Sequence, residues 1–137
     1  MKRLSIALVL GAVLTFAASP GICDRLDDAG SSADNAYDYA SKAPNTGNLE
    51  DAKYRSREAM GASAAARDSA LDARAYVAAD SENRAYDYSR RAANAKSDSD
   101  AQFYSKQAER ASADAKSLIN NDIYKKKQEA KYKTKGY

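Results

Sequence analysis

The sequence predicts an all-α protein: an up-and-down four-helix bundle built from two tandem helical hairpins, preceded by a signal peptide. Three observations predict it. Sliding the chain against itself by 49 residues aligns 36–67 with 85–116 without a gap, and 14 of those 32 positions are identical, the mark of an internal duplication. Ala52, Ser56, Ala59, Ser63, Ala66, Ala70, Ala73 and Val77 are spaced alternately by four and three, the period of one helix face. Turn chemistry divides the chain into segments of helical length.

The first 22 residues have the layout of a secretory signal peptide. Lys2 and Arg3 precede the apolar run Leu4 to Phe16, and the small residues Ala17-Ala18-Ser19-Pro20-Gly21 follow. The run is too short to span a bilayer, which predicts cleavage and export to the periplasm or outside the cell. Cys23 is the only cysteine, so no internal disulfide can form. It is a candidate for lipidation, although Pro20-Gly21-Ile22 replaces the usual small residue before such a cysteine.

The duplicated hairpins occupy 23–122, with helices expected near 26–43, 49–79, 82–96 and 99–122. Pro44-Asn45-Thr46-Gly47 ends the first helix, and Asn48 can cap the second, with Glu50 and Asp51 in its first turn. Asp80-Ser81-Glu82-Asn83 is read as the break between units, and Lys96-Ser97-Asp98-Ser99 as the second hairpin turn, capped by Ser97 or Ser99. Ala101, Ser105, Ala108, Ser112, Ala115 and Ile119 repeat the seam in the second unit. Alanine is the best helix former but buries little area, which predicts regular helices around a thin core. Gly61, inside the second helix, marks a bend or a close helix contact.

Residues 123–137 form a basic Tyr/Lys tail, expected to fray. Residues 24–120 carry 14 Lys/Arg against 17 Asp/Glu, a net of −3, whereas 121–137 carry six Lys against Asp122 and Glu129, a net of +4. Tyr124-Lys125-Lys126-Lys127 and Lys131-Tyr132-Lys133 interleave rings with positive charge. In an exported chain this favours an envelope protein or an anionic polymer or lipid surface over nucleic acid.

The chain has no histidine, which removes the commonest general base, the Ser-His and Cys-His dyads and every His-based zinc site. No Gly-rich phosphate loop is present. No enzyme activity and no cofactor are expected. Phenolate and carboxylate oxygens suit hard cations, so Tyr37, Tyr39, Tyr86 and Tyr88 of the repeated Tyr-Asp-Tyr element are metal candidates. Tyr37 and Tyr39 diverge by about 200° on one helix, so a shared ion would need both units, for example Tyr37 with Tyr88. The alternative is packing, with each pair of rings walling the small-residue seam from both sides. Tyr54 and Phe103 occupy equivalent positions opposite their seams. They are candidates for partner contact, together with Lys125, Lys126 and Lys127; the alternative places each ring over the Arg57 or Lys106 stem or against a neighbouring helix.

Asp-Tyr-Ala-Ser-Lys-Ala, Gly47-Asn48-Leu49-Glu50-Asp51-Ala52 and the stretch Ala101 to Ala115 resemble the exported small metal-binding protein family of duplicated four-helix bundles, over roughly residues 33–119. The resemblance implies the fold. That family's ligands are histidines, and Tyr39, Tyr88 and Tyr104 stand where it tends to place them. The hairpin is equally similar to a short Ala-rich periplasmic domain family of unknown function, and the composition resembles desiccation-type hydrophilic proteins. The functional expectation is an extracytoplasmic, non-enzymatic helical binding or structural module of the cell envelope. The alternatives are a cation-binding or buffering protein using carboxylates and tyrosines, and a stress protectant. An Ala-rich seam completed by a second chain leaves a homodimer open.

Overall fold

A computed structural model describes residues 21–134. It contains four helices, α1 (Ile22–Lys42), α2 (Leu49–Asp72), α3 (Tyr76–Ala93) and α4 (Asp98–Thr134), with one turn of 3-10 helix at Ala43–Asn45 after α1. The helices pack in ring order, α1 on α2, α2 on α3, α3 on α4 and α4 back on α1, with α2 and α4 also meeting across the diagonal. This is the expected all-α up-and-down bundle. The expected signal peptide, up to Pro20, and the last three residues lie outside the described residues. No described helix is long and apolar enough to cross a membrane.

The core is almost entirely alanine. Among the described residues only Leu26, Pro44 and Ile119 are larger buried apolar residues, so the helices lie close together and burial per residue is small. Three alanine clusters run along the axis. One, at the end where α1 begins, contains Leu26, Ala29, Ala70, Ala75, Ala78 and Ile119, with Leu118 and Ile123 packed on it. A central one holds Ala40, Ala59 and Ala108 under Tyr39 and Tyr88. The third, at the opposite end, holds Ala52, Ala95 and Ala101 under Leu49.

Two turns follow the sequence reading. The Asn48 side chain accepts from the Asp51 backbone N–H at 2.8 Å, and the Ser97 hydroxyl accepts from that of Asp100 at 3.1 Å, each satisfying one free donor of a helix start.

The α2–α3 turn does not lie at 80–83. α2 stops at Asp72, and the Arg74 and Ala75 N–H groups donate to the Leu71 and Ala70 carbonyls at 3.0 and 2.8 Å. This is a Schellman cap with Arg74 in the left-handed position, φ 59°. Ala70 and Ala75 share the core beneath it. Val77, expected on the seam, is 68% exposed, while Ser81 and Glu82, expected in a linker, are buried within α3.

Gly61 marks neither a bend nor a contact, because a Cβ there would meet nothing within 4 Å and α2 passes it unbroken. The close approach is at Gly30, where a Cβ would lie 3.1 Å from Ile123 Cδ1 of α4. Nor does α4 end near 122. It continues to Thr134, held by Ile123 on the core and by Lys127, 3.6 Å from Asp27 of α1.

Candidate functional site

As far as Thr134 the basic tail, expected to fray, is the far end of α4. Asp122 and Glu129 are the only acids among five lysines between 121 and 134. Lys126 pairs with Glu129 at 3.2 Å within the helix. Among the described residues Lys127 is the last of the tail's lysines to form an ion pair with another helix, and Lys125, Lys131, Lys133, Tyr124 and Tyr132 are exposed. A rigid helix thus carries the lysines, so their spacing is fixed and little ordering entropy is lost when they meet a surface.

The four Tyr-Asp-Tyr rings are half-buried and divided between grooves. Tyr39 lines the α1–α2 groove, about 380 Å³, with Ser32, Asn35, Arg57, Glu58 and Gly61. Tyr37 lines the α1–α4 groove with Lys116. Tyr39 and Tyr88, one ring of each pair, pack on the central alanine cluster, whereas walling by both rings of each pair was expected.

A cation stands over each of these rings. Lys116 Nζ is 5.2 Å from the Tyr37 centroid, Lys42 Nζ 5.4 Å from Tyr39, and the Arg67 and Arg91 guanidiniums 6.0 Å from Tyr86 and Tyr88. Arg91 also lies 5.8 Å from Tyr104. A metal ion at any of these phenols would meet a resident positive charge. Among the described residues there is no group of three or more Cys, Asp or Glu side chains placed to hold one. Tyr39, Tyr88 and Tyr104, where the resembled family places histidine ligands, each have a cation beside the ring. Lys116 also lies 2.9 Å from Asp34, and that bond raises its pKa.

Tyr54 and Phe103 are 54% and 57% exposed. Tyr54 lies beside Arg55, whose guanidinium is 5.6 Å from the ring centroid. Phe103 meets the Tyr104 ring edge-on at 5.3 Å. Cys23 is the second residue of α1.

The residue that sequence reading missed is Glu82. Its side chain is 0% exposed, the largest buried polar group in the bundle. The hydroxyls of Ser63 on α2 and Ser112 on α4 face it, yet neither carboxyl oxygen reaches full hydrogen-bond geometry, and both hydroxyls and that of Ser89 are likewise unpaired. Burial pushes the Glu82 pKa from 4.5 up to about 8, and the two hydroxyls recover only part of that rise. The carboxyl is therefore mostly neutral at pH 7. Its spacing in Ala78, Glu82, Ala85, Ser89 and Ala92 is that of a seam position, a signal outweighed by the polar character of residues 80–83.

No known protein family, characterised protein or solved structure matches this chain.

Proposed function

We propose that the chain is an exported, non-enzymatic helical module of the cell envelope that docks on an anionic component through the last turns of α4. The observation that carries this reading is the continuation of α4 past its final ion pair with α1, with Lys125, Lys131 and Lys133 exposed beside Tyr124 and Tyr132. Like charges on a rigid rod repel unless a partner neutralises them, and attraction to an anionic surface is worth about 1 kcal/mol per lysine near it. Capped turns and close alanine packing favour a folded module over a protectant that orders only on drying. The cations over the tyrosine rings weigh against the cation-buffering alternative.

The test is retention on isolated cell envelopes at low and high salt, comparing the mature chain with one ending at Lys127. Docking through α4 predicts retention at low salt, loss at high salt and loss on truncation, with helicity per residue unchanged. Equal retention of the truncated chain would remove the reading.

A further inference from the structure

We infer that Glu82 is a proton-operated latch: its protonated carboxyl holds α3 against α2 and α4, and loss of that proton releases α3 without unfolding the whole bundle. The inference stands on placement. A carboxyl with no exposure lies on α3 between two helices that offer it only the Ser63 and Ser112 hydroxyls. Among its described side chains α1 buries only Leu26 and four alanines, and Glu82 is the one ionisable side chain buried among the described residues.

The charges nearest along each helix are committed elsewhere or face solvent. Arg67 of α2 pairs with Asp68, Asp34 of α1 with Lys116 of α4, and Arg84 of α3 lies 3.7 Å from Asp80. Asp114 of α4 is exposed. An ionised Glu82 would thus be a buried charge without a partner, the costliest arrangement a core can hold. The walls that enclose it are alanine and serine, which contribute little burial to oppose the release.

The partner positions fit a latch. The seam of α2 and the seam of α4 each present a serine to the same carboxyl, so a neutral Glu82 can donate its proton to one hydroxyl while its carbonyl oxygen accepts from the other. A carboxylate can only accept, and a small movement of α3 outward would give it water instead. The position 49 residues earlier, Ala33 on α1, has no ionisable group, so only one of the two hairpins carries the device.

The test is hydrogen exchange of the mature chain from pH 5 to 9, corrected for the intrinsic rate, in the native protein and in Glu82→Gln. If opening of α3 releases one proton, its protection falls about tenfold per pH unit up to about pH 8 and then levels off. α1, which opens only with the whole bundle, stays better protected than α3 at every pH, and the Gln variant shows no such fall. Equal pH dependence in native protein and variant, or equal protection of α1 and α3 throughout, would overturn the latch. Should the variant fail to fold, a ¹³C carboxyl titration of the native chain decides: a Glu82 midpoint near 8 supports the latch, and one near 4.5 overturns it.

Discussion

Ser56 of α2 and Ser105 of α4 face each other in the core with 3.2 Å between their hydroxyl oxygens, and they are 49 residues apart in the chain. The same offset relates Ser63 to Ser112, the pair that faces Glu82, and relates the Lys116 contact on Tyr37 to the Arg67 contact on Tyr86. Each hairpin therefore presents equivalent residues to the other about an approximate two-fold axis. Small hydroxyls on the α2–α4 diagonal let these helices meet where larger side chains would hold them apart.

Because the Ser56–Ser105 bond is buried, removing one hydroxyl leaves the other unpaired. Ser56→Ala or Ser105→Ala alone should destabilise the bundle by about 1–2 kcal/mol, whereas the double alanine variant should be nearly neutral. Urea unfolding of the four proteins of this cycle measures the coupling. Additive losses would mean that the hydroxyls do not satisfy each other.

Arg74 adopts φ 59° at the α2–α3 turn, a conformation that costs a side chain roughly 1 kcal/mol and glycine almost nothing. Arg74→Gly should therefore raise stability by up to about 1 kcal/mol, partly offset by the greater freedom of glycine in the unfolded chain. The urea midpoint should rise at unchanged slope.

Gly61 and Gly30 should respond differently to alanine. At Gly61 the added methyl meets open space, and the gain in helix propensity should stabilise α2 by about 0.5–1 kcal/mol. At Gly30 the methyl would press on Ile123, so the same propensity gain is spent on moving α4, and Gly30→Ala should be clearly the less stable variant. Thermal melts by circular dichroism would rank the pair.

These contrasts show what the sequence made legible. Asn48 and Ser97 stand at helix starts and act there as caps, so both hairpin turns were readable from residue chemistry. The turn between hairpins was not, because its left-handed position holds Arg74 and no glycine marks it. The four-three spacing also runs arithmetically through Ala73 to Val77 across that turn, although the chain has reversed between them. Glu82 was hidden by the same error. Read as part of a polar linker it looked solvated, and only the true start of α3 turns its side chain into the core. Tyr54 and Phe103 were legible as exposed because they lie opposite an unbroken seam.

The tail separates into two parts by truncation. Ending the chain at Lys127 removes, among the described residues, only half-buried Gln128 and exposed residues and should change stability by less than about 0.5 kcal/mol. Ending it at Asp122 also removes Ile123 and the Lys127–Asp27 pair and should cost about 1–2 kcal/mol, mostly from the lost apolar contact, since the exposed ion pair contributes little. Equal stability of the two truncations would show that α4 beyond 122 is not docked on α1.

Glu82 should give the bundle an inverted pH profile. Its folded pKa, about 8, lies above its ordinary value of 4.5, so between these limits the unfolded chain binds fewer protons than the folded one, and stability falls as pH rises. The contribution is complete below about pH 4.5, is lost progressively up to about 8 and is flat beyond. The interval sets an upper limit of roughly 5 kcal/mol, less where the core relaxes. Glu82→Gln keeps the volume and removes the ionisation. It should match the native protein in acid, exceed it increasingly from pH 6 to 8 and show no slope there. Chemical unfolding at successive pH values measures both curves, and a native stability that stays level or rises from pH 5 to 8 would show that Glu82 is not held neutral in the core.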